Sequence, residues 1–347
     1  MRGAGPSDDV TALLPPDEET SRWLEHLAAI DDPDLEVSLP SAEELPRVLL
    51  ELAVPHQDID ELVTHAPGPT RSPEAWWLLR RCVQVLVRSI GEIDRPPAFR
   101  PLAPDLGALQ RYFYVYVFVA TLPHVRAYHR QLGVPDEVSR LTLTELGRNL
   151  AVHRGRHGDG GLASAHWLMF TFRGAVHHLG RLQFQRARLD FLRPEVRSQV
   201  IASAEADGVG LTDDEPTLAV HIPTFCGPMT PQACDDAFGR ATSYFARHFP
   251  DEPYRIATCG SWLLDDQLAE YLPADANILA FQRRFTIAHQ PEGSDRTDED
   301  ILRFVFGRSD PDRLDDLAPR TTLERAIVEH LKAGRHWRGG VGWLDLA

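Results

Sequence analysis

Apolar residues recur at steps of three and four through most of the first half of the chain. Trp76, Leu79, Val83, Leu86, Val87 and Ile90 fall on one stripe, and Leu106, Leu109, Tyr112, Phe113, Tyr116, Val117 and Ala120 on another. That spacing predicts amphipathic helices, because an α-helix turns once in 3.6 residues. Ser72-Pro73-Glu74 gives the first of these an N-cap, a proline at the first helical position and an acid at the positive end of the dipole. Gly91 and then Arg95-Pro96-Pro97 end it. Ser41 and Glu44, ahead of Leu45, Val48, Leu49 and Leu52, make a capping-box pattern. Pro123 is expected to kink or split the second helix, since proline lacks the N–H and crowds the preceding turn. Residues 144–153 and 165–179 read as two further helices, separated by a loop at 158–161.

The pattern changes near Gly180. Residues 181–189 alternate as a strand does, and 217–222 form a short apolar run closed by Pro223. A polar, glycine-bearing stretch at 205–216 lies between them. Thr230-Pro231 opens a helix to about His248. A strand over 254–264 and a short helix over 265–272 follow. Residues 277–288 and 301–306 read as two strands joined by an acidic loop. A helix over 322–336 and a strand over 341–346 close the chain. Strands interleaved with helices predict a mixed sheet with helices on its faces. The expected class is α+β: a flexible acidic leader (1–20), a helical domain (21–150) and a sheet domain (151–347).

Composition narrows the function classes. The 347 residues suffice for two domains, and 43% hydrophobic with 25% charged residues exclude a disordered chain. No apolar run reaches the roughly 18 residues of a membrane span, and the acidic N-terminus lacks the basic start of a signal peptide. A cytoplasmic protein with no membrane partner is expected. Four cysteines without a C-x-x-C pair read as free thiols. The net charge of −15 is uneven: residues 1–70 hold 3 basic and 16 acidic side chains, 71–190 hold 17 and 9, and 191–347 hold 16 and 26. The balance argues against nucleic acid, while the basic middle suits either an anionic ligand or the acidic leader itself. His153 and His157 stand four apart, but Gly155 interrupts them and no H-E-x-x-H is present, so no metal is expected.

From residue 217 onward the order of elements resembles the core of the GNAT-type N-acetyltransferase superfamily. The whole chain is similar, over roughly 20–347, to a family of actinobacterial acyltransferase-domain proteins. These join a helical N-acyltransferase-type N-terminal domain to a GNAT-like C-terminal domain. Leu122–Arg126, Leu146–Asn149, Leu179–Phe184, Val220–Pro223, Gly260–Leu263, Phe281–Phe285, Gly334–Trp337 and Gly340–Trp343 carry the resemblance. It implies an acyl-CoA donor, acetyl-CoA in the first instance, no metal, and a small-molecule acceptor such as an amine. It also implies a phosphate loop at Thr224, Phe225, Cys226, Gly227, Met229 and Thr230. The superfamily's [RQ]-x-x-G-x-[GA] pattern is absent there: Gly227 stands alone before Pro228, and Asp235 and Asp236 follow in the helix. A non-catalytic ligand-sensing or interaction protein on the same fold is therefore the alternative.

Acyl transfer to an amine needs a base for the amine proton and an acid for the departing thiolate. His221, at the end of its strand, is implied as the base; a histidine satisfied by a backbone carbonyl is the competing reading. Tyr271 stands where the superfamily often keeps its acid, though a tyrosine packed under Pro273 fits as well. Ser261 is a donor toward the thioester or a helix cap. Arg283 and Arg284, read on a strand, face opposite sides, so at least one is expected to hold substrate or a carboxylate.

Overall fold

A computed structural model describes residues 8–30, 32–95, 99–308 and 310–346. The chain divides into two units, residues 1–177 and 178–347. A boundary at 150 would fall inside a helix, Glu145–His157, whose Leu146 and Leu150 are wholly buried in the first unit's core.

The first unit is helical. Its elements are α1 (Asp8–Thr11), α2 (Glu18–Ala29), α3 (Leu45–Glu51), α4 (His56–Thr64), α5 (Pro73–Arg88), α6 (Ala108–Gln131), α7 (Asp136–Leu143), α8 (Glu145–His157) and α9 (Ala165–Phe172). The leader is not loose from residue 8 onward: Val10 and Leu14 are buried and Ala103 N–H donates to the Leu13 carbonyl. Two apolar side chains in a shared core outweigh the acidic character around them. Residues 1–7, like Pro96 and Pro97 of the expected break, lie outside the described residues. Ser41 and Glu44 exchange the reciprocal capping bonds, 3.2 and 3.3 Å. Ser72 precedes α5 as expected, but its hydroxyl accepts from Gly68 N–H. α6 runs unbroken through Pro123, because Tyr112, Phe113, Tyr116, Val117 and Phe118 bury it on nearly all sides. Packing there exceeds the cost of one lost hydrogen bond.

The second unit is a six-stranded mixed sheet in the order β1-β2-β3-β4-β6-β5. The strands are β1 (Val176–Leu179), β2 (Leu182–Arg188), β3 (Pro216–His221), β4 (Ile256–Ser261), β5 (Thr286–His289) and β6 (Gly340–Asp345). β1 takes the end of what reads as a helix over 165–179; Gly174, at φ +73°, turns the chain out of α9. β3 is antiparallel to β2 and parallel to β4. α10 (Pro194–Ala206), unread in the sequence, meets Ile256 and Trp343 through Val200 and Ala204. α11 (Pro231–His248) lies against the other face, where Phe238 meets Phe184.

One expected strand is a helix, and another begins as one. Residues 277–288 divide into α12 (Asn277–Gln282) and β5, so only the last part is a strand. Residues 301–306 belong to α13 (Asp295–Phe306), and α14 (Thr322–Lys332) follows. The apolar run Ile301–Phe306 is too short to distinguish a strand from a buried helix by period alone. Ser294, whose hydroxyl accepts Thr297 N–H, and Gly307 at φ +70° are the start and stop signals that decide it.

Candidate active site

β3 exchanges its parallel pairing with β4 over Thr217–Ala219 against Ile256–Thr258. Both strands continue, β3 to His221 and β4 to Ser261, but they part beyond Ala219 and Thr258. β4 stays paired with β6 through Ser261 and Gly340, and β3 with β2 through His221 and Gln183, so the sheet parts between these two halves. The backbone groups that the two strands would otherwise share face a gap, where an extended amide-bearing ligand can take them up. The gap opens on a cavity of about 800 Å³. Its walls come from the end of β3 and the loop after it, from Cys259–Leu263, and from α12, α13 and α14.

His221 lines this cavity. Its Nε2 lies 3.0 Å from Oε1 of Gln185 on β2. Because that oxygen only accepts, Nε2 carries the ring proton and Nδ1 the lone pair. Burial pushes the His221 pKa down to about 4, since the low-dielectric surroundings disfavour the imidazolium. The ring is therefore neutral at ordinary pH.

Ser261 also lines the cavity, and its hydroxyl accepts Leu263 N–H at 3.1 Å, capping the turn Trp262–Leu264. A hydroxyl that accepts through a lone pair still has its proton to give. Tyr271 is elsewhere. Its hydroxyl lies 3.0 Å from His330 Nδ1 and 3.3 Å from an Arg335 nitrogen, and its ring packs on Trp337. The residue does not line the cavity.

In the loop after β3, Thr224, Phe225 and Met229 reach the cavity wall, while Cys226, Gly227 and Thr230 do not. Phe225 at φ +61° and Gly227 at φ +78° make two left-handed turns in three residues. For a phenylalanine that conformation costs about 1–2 kcal/mol. Arg181 holds the loop, donating from Nε to the Gly227 carbonyl (2.8 Å) and from Nη1 to that of Pro223 (3.2 Å). Cys226 Sγ is 3.3 Å from the Thr224 carbonyl. Thr230 caps α11, accepting Ala233 N–H at 3.2 Å.

Arg283 and Arg284 stand in the turn after α12 and not on a strand. Arg284 Nη1 pairs with Asp235 at 2.5 Å and Nη2 donates to the Pro231 carbonyl at 2.9 Å. The Arg284 guanidinium holds the Asp235 carboxyl below its usual range. It thus offsets the negative charge that Asp235 would otherwise present at the start of α11. Arg283 donates to the Ala274 carbonyl at 3.1 Å, away from the cavity. The earlier strand's arginines are structural: Arg186 forks onto Glu252, and Arg188 donates to the Asp214 carbonyl.

The sequence reading left out Arg181, His289 and the α13 face carrying Thr297, Asp300 and Phe304, all of which line the cavity. For α13 the missed signal was its N-cap. For His289 there was none, because a β-bulge between Ile287 and His289 sets its register.

A parallel pair that splays at its carboxyl end, with a helix starting beyond the splay, defines the GNAT-like class of acyl-transferring domains. Residues 176–344 match the family model of the GNAT-like C-terminal domain, and residues 43–174 match that of the N-acyltransferase N-terminal domain. An acyltransferase variant in complex with octanoyl-CoA is 39% identical with a TM-score of 0.88, covering 99% of this chain and 100% of its own. An acyltransferase in complex with decanoyl-CoA and teicoplanin is 40% identical, with a TM-score of 0.85 and coverage of 95% and 96%. A third structure, an acyltransferase in complex with CoA and 10C-teicoplanin, is 39% identical with a TM-score of 0.84 and the same coverage, 95% and 96%. No match was found among curated proteins. The chain belongs to the acyltransferase family that joins these two domains. Among the described residues, no helix is long and apolar enough to cross a membrane.

Proposed function

We propose that the protein transfers the acyl group of an acyl-CoA, longer than acetyl, to an amine of a polar small molecule. The observation that carries this reading is the splay of β3 from β4, which opens on a cavity with neutral His221 in its wall. The pantetheine arm lies in the gap and uses the backbone groups left there. The thioester carbonyl comes to rest near the ends of the two strands. The amine nitrogen attacks that carbon, a C–N bond forms and the C–S bond breaks. His221 takes the proton from nitrogen on Nδ1. A base of pKa about 4 cannot deprotonate a free ammonium well, so the amine must arrive neutral. The proton becomes far more acidic once the C–N bond has formed, and His221 acts at that stage. The Ser261 hydroxyl donates a hydrogen bond to the departing thiolate, which leaves as the anion and takes its proton from solvent. Tyr271 takes no part.

Relatives crystallised with octanoyl- and decanoyl-CoA support the longer donor, and those crystallised with teicoplanin support a bulky acceptor. Titration calorimetry with acetyl-, octanoyl- and decanoyl-CoA tests the donor, and mass spectrometry of a mixture with teicoplanin tests the acceptor. Micromolar binding and a raised melting temperature are expected, worth about 4 kcal/mol at a thousandfold excess over Kd. Failure of every acyl-CoA to bind would overturn the enzymatic reading and favour the ligand-sensing alternative.

A further inference from the structure

Gly180, at φ +71°, turns β1 into β2, and the turn lies against Ala237 of α11. The next residue, Arg181, reaches the loop after β3 across 46 positions of chain. A guanidinium is a rigid, planar fork of five N–H groups that stays charged at any ordinary pH. Arg181 gives one N–H to the Pro223 carbonyl and one to the Gly227 carbonyl, so a single side chain ties both ends of a five-residue segment. The hydrogens on its Nη2 have no partner among the described residues, and the residue lines the cavity.

In a trans peptide the C=O and the N–H that follows it point to opposite edges of one plane. Drawing the Pro223 carbonyl to Arg181 therefore turns Thr224 N–H away from the guanidinium. The Thr224 carbonyl faces Cys226 Sγ, which turns Phe225 N–H away in the same manner. The N–H groups of Thr224, Phe225 and Gly227 donate to no acceptor among the described residues. The shape that leaves them open is not one the loop holds by its own composition. Phe225 sits at φ +61°, and a non-glycine residue stays there only where its surroundings over-determine it. Gly227 is the loop's one glycine, and Pro228 has no N–H. The restraint comes from outside, from Arg181. We infer that Arg181 is the positioning residue of this loop: it keeps the carbonyls on its own side, so that the free N–H groups can receive the phosphates of the donor. The inference rests on the acyl-CoA reading above. It adds the residue through which a loop without the glycine-rich pattern can hold an anion.

The test compares octanoyl-CoA with S-octanoyl-pantetheine, which carries the same thioester and no phosphate. Both are titrated calorimetrically into the full chain, the pantetheine thioester up to millimolar concentration. Arg181→Ala should weaken octanoyl-CoA about tenfold or more and change S-octanoyl-pantetheine less than about twofold. Retained binding of the phosphate-free thioester also shows that the variant is folded. Arg181→Lys keeps the charge but not the fork that bridges two carbonyls, so it should weaken octanoyl-CoA nearly as much. Equal weakening of both thioesters by Arg181→Ala would overturn the inference, because Arg181 would then support the cavity as a whole. Unchanged binding of octanoyl-CoA would overturn it too. A native-like Arg181→Lys would show that charge alone matters and that the loop needs no such tie. No binding of octanoyl-CoA by the native protein would instead remove the donor reading itself.

Discussion

The ring of His221 on β3 is held by the side-chain oxygen of Gln185 on β2, 3.0 Å from Nε2. Gln185 is 1% exposed, and its amide nitrogen has no partner among the described residues. A buried donor left without a partner costs about 1–3 kcal/mol. A fixed tautomer for His221 is the gain that the geometry offers against it. Gln185→Leu should remove this hold on Nε2 and lower turnover about tenfold, with the Kd for octanoyl-CoA unchanged. His221→Ala should lower turnover by about 100-fold or more, again sparing donor binding. Steady-state kinetics with calorimetry separates these outcomes; equal turnover in Q185L and native protein would show that the contact positions nothing.

Acid stability follows from two desolvated imidazoles, one buried and one in the cavity wall. Burial holds both His221 and His129 at about 4, below the usual 6.5, and His129 Nδ1 lies 2.8 Å from Ser139 Oγ. The unfolded chain binds protons on these groups at higher pH than the native one does. Their contribution is therefore whole above about pH 6.5 and is lost as pH falls toward 4, up to about 3 kcal/mol for each. Urea unfolding between pH 7 and pH 4 should show this loss, and His129→Gln should flatten the profile. An unchanged slope in H129Q would place the acid sensitivity elsewhere.

Asp58 is the charged centre of the first unit. It is fully buried, accepts from Tyr112 Oη at 2.6 Å and pairs with Arg154 Nη2 at 2.6 Å. Desolvation and these carboxylate contacts push the Tyr112 phenol up well beyond its ordinary range. Asp58→Ala would leave the Tyr112 hydroxyl only its 3.0 Å bond to Glu61 and strand a guanidinium that is only partly exposed, at a cost of about 1–3 kcal/mol. Gly160 admits no side chain beside it, because an added Cβ would meet Tyr112 Oη at 1.8 Å and Asp58 Oδ1 at 2.0 Å. Gly160→Ala should thus lower the melting temperature as D58A does. Thermal unfolding of both variants checks the pair, and a native-like G160A would contradict the packing.

A second buried carboxylate anchors the cavity wall. Asp298, 2% exposed near the start of α13, accepts Trp337 N–H at 2.8 Å and lies 2.7 Å from His336 Nδ1. The hydrogen bond to Asp298 raises the His336 pKa above its usual value. Asp298→Ala removes the tie between α13 and the segment leading into β6. It should weaken octanoyl-CoA about tenfold, because Phe304 and Val305, which line the cavity, move with the helix. Calorimetry with octanoyl-CoA decides this, and an unchanged Kd would uncouple α13 from donor binding.

The alternation of residues 181–189, the apolar run closed by Pro223 and the Thr230-Pro231 start gave β2, β3 and α11 within a residue or two. Those three elements fix the end of β3, and with it His221 and the loop. Ser261 closes β4, a strand that the sequence reading carried on to residue 264. Tyr271, Arg283 and Arg284 were placed by their position in an inferred order of strands, and that order failed at α12 and α13. Once 277–282 is helical, the two arginines move to a turn and Arg284 closes on Asp235.

The linear sequence determined whatever depends on neighbours a few residues away: the helical stripes, the caps, the strand ended by proline and the acidic and basic blocks. The tertiary structure alone decided which strands part, that a bulge turns His289 toward the cavity, and that Gln185 reaches His221 across 36 positions of chain. Local spacing encodes the period of an element, but the faces that meet are selected by burial and by hydrogen-bond partners distant along the chain.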